Sequence, residues 1–143
     1  MATDRRAEVR WQGSLMEGSG TITSTTSGSI GEQQVSWPNR AEDNPDKTSP
    51  EELIAAAHAA CFSMALSHGL AQAGNAPDQL DTSATVTFQP GQGITKIALT
   101  VRGSVPGLDE AAFQEVANTA KENCPVSKAL AGVPEISLEA KLG

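Results

Sequence analysis

Cys61 and Cys124 are the only cysteines in the chain, and His58 and His68 its only histidines. Thiol chemistry, if present, must therefore run through these few groups. Cys124 lies in "NCPVSKAL" (Asn123–Leu130), directly before Pro125. A cysteine at an N-cap with proline at the first helical position faces free backbone N–H groups and a helix dipole, both of which favour the thiolate. The plain reading is a cysteine that happens to break a helix. Cys61 lies in "TSPEELIAAAHAACFSMALSHGL" (Thr48–Leu70), about eleven residues into a helix and beyond the turn where the dipole acts. Apolar surroundings raise a thiol's pKa, so Cys61 needs a cation, and no lysine occurs between Thr48 and Thr95.

A helical wheel places His58, Cys61, His68 and Gln72 within about 80° of one another, a thin polar stripe on an apolar rod. Four readings compete. A histidine here is an ordinary satisfied core residue. Alternatively His58 and Cys61 are half of a zinc site completed by Cys124 and one more group; no close ligand pair recurs elsewhere, so the metal signal is weak. A Cys–His pair for acyl transfer lacks any motif for an oxyanion hole. Last, the two cysteines are a peroxidatic and resolving pair, with an arginine holding the thiolate.

Of the five arginines, Arg5 and Arg6 sit near the chain end, and Arg10 and Arg102 fall in predicted strands. Arg40 lies in the polar segment leading to the cysteine helix, a natural place for a functional side chain, although a solvated loop charge is the usual case. Glu51 stands about ten residues before Cys61, roughly 15 Å along an unbroken helix. It cannot reach the thiol of its own chain. If two such helices run antiparallel in a dimer, Glu51 of one approaches Cys61 of the other; in any case it pairs favourably with the dipole in the first turn.

The elements that must position these groups are legible in outline. Residues 5–38 read as three antiparallel strands, and "PNRAEDNPDKT" after them as a long loop. The cysteine helix has Ser49 as N-cap, Pro50 at the first position and Glu52 completing a capping box, and runs to about Ala73, before Gly74 and Asn75. Such a helix is roughly 36 Å long and apolar on nearly every side. A second copy is the simplest way to cover it, so a homodimer is expected. "LDTSATVTF" and "ITKIALTVRGSV" form a hairpin around "QPGQG"; Asp109 caps a second helix; "NCPVSKAL" starts a short third; "EISLEAKL" closes as a strand. The fold class is α+β, in a single domain over residues 1–143.

Composition narrows the function. Apolar content of 38%, charged content of 19% and a net charge of −7 fit a globular protein and argue against nucleic acid or an anionic membrane as partner. No apolar leader opens the chain, and the apolar run from Leu53 to Leu66 is short for a bilayer and contains His58. The expected location is the cytoplasm, where two cysteines suggest redox, catalytic or metal roles over a structural disulfide.

The two cysteine segments, "TSPEELIAAAHAACFSMALS" and "NCPVSKAL", together resemble the OsmC/Ohr family of thiol-dependent hydroperoxide reductases. "RWQG", "SATVTF", "GITKIALTV" and "VPGLD" fall where that family has them, and His58 in "AAAHAACFSMAL" is similar to the OsmC branch. The resemblance implies an intertwined α+β homodimer, long helices packed between antiparallel sheets, and active sites at the subunit interface. It implies that Cys61 is the peroxidatic and Cys124 the resolving cysteine, that Arg40 is the catalytic arginine with Arg10 in reserve, and that Glu51 pairs with it. Local electrostatics alone would make Cys124 the more acidic thiol; the resemblance assigns the attack to Cys61. The implied reaction needs no cofactor and no metal: an organic hydroperoxide yields an alcohol and a Cys61 sulfenic acid, a Cys61–Cys124 disulfide follows, and an external dithiol reopens it. A lipoyl-linked dithiol is what the Ohr branch suggests. Phe62, Met64, Leu66 or Leu70 would supply an apolar rim. The alternative is a non-enzymatic thiol- or zinc-binding stress module that uses the same cysteines.

Overall fold

The computed structural model describes residues 1–143 except Asn44. The chain divides into two compact units, residues 1–53 and 54–143. In the first, β1 (Ala7–Gln12), β2 (Ser19–Thr25) and β3 (Gln34–Val35) form an antiparallel sheet in that order. Helix α1 (Trp37–Ala41) follows, starting one residue before the segment read from sequence as loop and running into it. The local reason is a cap: the Ser36 hydroxyl accepts from the Asn39 N–H, and Pro38 stands in the first turn with its φ already helical. Arg40 therefore sits in the last turn of a short helix.

Helix α2 (Pro50–Gln72) is 23 residues long. Ser49 caps it, accepting from the Glu52 N–H at 3.1 Å, while the Glu52 carboxylate takes the Thr48 hydroxyl at 2.8 Å instead of closing the box on the cap. At the other end the Asn75 N–H reaches back to the Leu70 carbonyl and Gly74 takes φ +88°, a left-handed stop that favours glycine. Length and composition would let α2 cross a bilayer. One side of it nevertheless belongs to the core of its own unit: Phe62, Leu66 and Leu70 are fully buried with sheet residues, and the Ser63 hydroxyl bonds Thr82 at 2.7 Å.

In the second unit β4 (Gln79–Gln89) and β5 (Gly93–Ser104) make the expected hairpin, and β6 (Glu135–Leu142) pairs with β5 in parallel. Helix α3 (Glu110–Asn123), capped by Asp109, buries Phe113, Ala117 and Ala120. Gly103 on β5 makes room for it, since a Cβ there would lie 2.7 Å from the Phe113 ring. Helix α4 (Pro125–Ala129) follows Cys124 at once. Ile97, Leu99 and Val101 of β5, Ala140 of β6, and the buried faces of α2 and α3 form one core.

As expected of a chain too short to wrap so long a helix, α2 is only partly covered in the single chain. Glu52, Ala56, Ala60, Met64 and His68, spaced four residues apart, make an exposed face, with Met64 72% exposed. The other side packs Phe62, Leu66 and Leu70 into the core with the sheet of β4, β5 and β6.

Candidate active site

Two groups of side chains could do chemistry. The first brings together Cys61 and Cys124. Cys61 is half-buried on α2, and Cys124 is fully buried between two helices. Cys124 ends α3, its N–H bonding the Ala120 carbonyl at 2.9 Å, and at the same time starts α4, its carbonyl accepting from the Lys128 N–H at 3.0 Å. Pro125 allows that immediate restart. The sulfur consequently faces the first N–H groups of α4.

Both thiols are free, and they lie near enough for each to shift the pKa of the other. Burial pushes the Cys61 thiol up, and the neighbouring Cys124 pushes it further; the Val126 N–H offsets only part of this. Burial acts the same way on Cys124 but is outweighed. The nearby Cys61 thiol and the polar groups of Ser127 and Val126 at the start of α4 bring its pKa below that of an ordinary cysteine. In the single chain, then, Cys124 is the more acidic of the two thiols, as local electrostatics led one to expect.

His58 lies fully buried one turn before Cys61 on α2, with Nε2 2.7 Å from the Ser127 hydroxyl. Burial lowers its pKa, so the ring is neutral near pH 7. Its Nδ1 has no hydrogen-bond partner among the described residues. The polar stripe read from the helical wheel is thus split: His58 and Cys61 face the α4 side, whereas His68 and Gln72 are exposed. Ser127 was not singled out from sequence, although its position three residues after an N-cap cysteine marks it as able to reach that sulfur.

The second group is Arg40 and Glu51. The guanidinium approaches the carboxylate side-on, Nε lying 3.1 and 3.2 Å from its two oxygens and Nη2 3.1 Å from one of them. The Glu51 side chain is 8% exposed and that of Arg40 35%. Of the two candidate arginines, Arg40 is the one paired with Glu51; Arg10 is an exposed residue of β1. Beside Arg40, the side chains of Trp11, Leu15, Val35, Trp37 and Pro50 line a cavity of about 210 Å³. This corrects the expected apolar rim. Phe62, Leu66 and Leu70 are core residues and Met64 points outward, because residues four apart on α2 are committed to one face or the other.

Among the described residues no three His, Cys, Asp or Glu side chains gather as a metal site, so the zinc reading of His58 and Cys61 lacks a ligand set in the chain.

Residues 42–139 match the family described as OsmC-like protein. Over 145 residues, covering 99% of each chain, the sequence is 43% identical to Peroxiredoxin OsmC of Escherichia coli. It is 33% identical over 108 residues to the organic hydroperoxide resistance protein OhrB of Bacillus subtilis, covering 75% of this chain and 79% of that one. The crystal structure of OhrB superposes with a TM-score of 0.65 at 28% identity, over 96% of this chain and 98% of the other.

Proposed function

The chain belongs to the OsmC-like protein family, and on that premise we propose that it is a cytoplasmic thiol-dependent peroxidase that reduces organic hydroperoxides to alcohols. The observation that carries the reading is the neighbourhood of two free thiols, Cys61 and Cys124, each of which shifts the pKa of the other. The relatives named above as peroxiredoxin and organic hydroperoxide resistance protein support the same chemistry.

Cys61 is the attacking thiolate. Each thiol biases the ionisation of the other, so a cation on the Cys61 side favours the charge on Cys61 and the proton on Cys124. Arg40 supplies the cation, and Glu51 fixes its orientation. Because Glu51 and Cys61 lie about ten residues apart on one unbroken helix, roughly 15 Å by helical rise, the pair acts in trans. Two chains associate through their exposed α2 faces, and the Arg40–Glu51 pair of one serves Cys61 of the other. The thiolate attacks the outer oxygen of ROOH and the O–O bond breaks. The guanidinium stabilises the departing alkoxide, which takes a proton to become ROH. The alkyl group lies in the cavity of Trp11, Leu15 and Trp37. Cys124 then displaces hydroxide from the Cys61 sulfenic acid, and an external dithiol, lipoyl-linked or otherwise, reduces the disulfide.

The test is consumption of tert-butyl hydroperoxide with dithiol in excess. Cys61→Ser should abolish it, and Cys124→Ser should leave one stoichiometric turnover. Activity retained by Cys61→Ser and lost by Cys124→Ser would reverse the roles.

A further inference from the structure

Trp11, Gly20 and Val35 stand side by side across the first sheet: Trp11 of β1 pairs with Gly20 of β2, and Gly20 with Val35 of β3. Residues directly opposite one another on neighbouring strands share a face of the sheet. A Cβ on Gly20 would lie 2.9 Å from Cε3 of Trp11 and 2.9 Å from Cγ2 of Val35. The missing side chain is what lets the indole and the valine close over the middle strand. The Trp11 N–H bonds the Gly13 carbonyl at 2.9 Å, so the ring is held by its polar edge and its faces are left for packing. Trp11 and Val35, together with Leu15, Trp37, Pro50 and Arg40, line the cavity of about 210 Å³.

Size and lining together select what this cavity takes. An apolar protein cavity of about 150 Å³ is filled by one benzene ring, so 210 Å³ holds a ring with a small branched substituent. Among the described residues the lining is apolar apart from Arg40 and Ser36. Two indoles favour a flat aromatic group, packed offset or edge to face, over a flexible chain that must give up its torsional freedom on binding. Resting on the peroxidase reading, the geometry points to hydroperoxides of a compact, aryl-substituted carbon, about the size of a cumyl group, as the preferred substrates, with Trp11, Trp37 and Gly20 setting that preference. The aryl group lies among the indoles and the peroxide oxygens lie toward the guanidinium. Gly20 acts through Trp11 and Val35 and does not touch the substrate. A straight chain gains with length only until the cavity is filled, and carbons beyond that stay in water.

Trp11 and Trp37 are the chain's two tryptophans and it has no tyrosine, so its tryptophan fluorescence comes from this cavity alone. In Cys61→Ser, titration with 2-phenyl-2-propanol, the alcohol formed from cumene hydroperoxide, should change that fluorescence saturably. tert-Butanol should need at least about tenfold more for half saturation, since each buried carbon is worth about fourfold. With the unmutated protein and excess dithiol, kcat/KM for cumene hydroperoxide should exceed that for tert-butyl hydroperoxide about tenfold or more, and a straight-chain series should level off. Hydrogen peroxide has no organic group and reports the thiol chemistry alone. Gly20→Ala and Trp11→Ala should lower the ratio of kcat/KM for cumene hydroperoxide to that for hydrogen peroxide about tenfold, and weaken binding of the alcohol with it. If Gly20→Ala does not fold, Leu15→Ala, a truncation in an exposed turn, carries the test. Equal kcat/KM for the cumene and tert-butyl hydroperoxides, a rise that continues through long straight chains, or fluorescence unmoved by the alcohol would overturn the preference alone. Saturable binding of the alcohol with no turnover of any hydroperoxide by the unmutated protein would overturn the peroxidase reading beneath it.

Discussion

Arg40 and Glu51 are joined by three hydrogen bonds of 3.1–3.2 Å, the carboxylate nearly closed off from water and the guanidinium about one-third exposed. This is the geometry of a cation held at a fixed angle with part of its surface exposed. Glu51→Gln should keep the fold but lose the orientation, reducing kcat/KM about tenfold to a hundredfold. Arg40→Lys should fall further, because an ammonium cannot reproduce the side-on contact. Arg40→Ala leaves a buried carboxylate without this partner and should cost about 1–2 kcal/mol of stability, discounted for the exposure of Arg40. Steady-state kinetics and chemical denaturation check these values.

Met64 is 72% exposed at the middle of the uncovered α2 face. Met64→Glu should leave the core of Phe62, Leu66 and Leu70 intact and so keep the circular dichroism spectrum. If that face joins two chains, a buried charge at its centre should disrupt the association. Sedimentation would then show a folded monomer with little peroxidase activity, whereas an active monomer would contradict delivery of Arg40 in trans.

His58 is buried with its pKa below the ordinary 6.5. Between that value and its folded-state pKa, the unfolded chain binds a proton that the folded chain does not. Stability therefore rises with pH in this window and is lost as pH falls through it, by at most ~1.4 kcal/mol per pH unit. His58→Gln should flatten the slope on the acid side of about pH 6.5. Thermal melts over a pH series read the effect directly.

Gly103 stands where a Cβ would be 2.7 Å from Phe113 and 3.1 Å from Leu80. Gly103→Ala should push α3 off β5 and destabilise the protein by about 1–3 kcal/mol. Because α3 carries Cys124 at its end, the same change should slow disulfide formation more than hydroperoxide consumption.

Much of this was legible in the chain itself where the signal was local. The capping serine at Ser49, the Asp109 cap, the Cys124–Pro125 restart and the "QPGQG" turn each act within a few residues, and each stands where it was read. Helix α1 was missed because charge and proline content masked the Ser36 cap. The parallel pairing of β5 with β6 and the His58–Ser127 bond are contacts between distant segments, which no local pattern encodes. Of the candidate site residues, the cysteines were singled out by residue type, and Arg40 by its place ahead of the cysteine helix and by the family resemblance. The apolar rim was misplaced because composition does not say which face of α2 meets the core; helical register does, and it sends Phe62, Leu66 and Leu70 inward.

The central claim is that Cys61 attacks and Cys124 resolves, although Cys124 is the more acidic thiol in the single chain. The most direct measurement is dimedone labelling of each single-cysteine variant after one equivalent of cumene hydroperoxide, read by peptide mass spectrometry. An adduct on Cys61 in Cys124→Ser, with none on Cys124 in Cys61→Ser, is the expected result. An adduct on Cys124 in Cys61→Ser, with Cys61 unlabelled in Cys124→Ser, would contradict it.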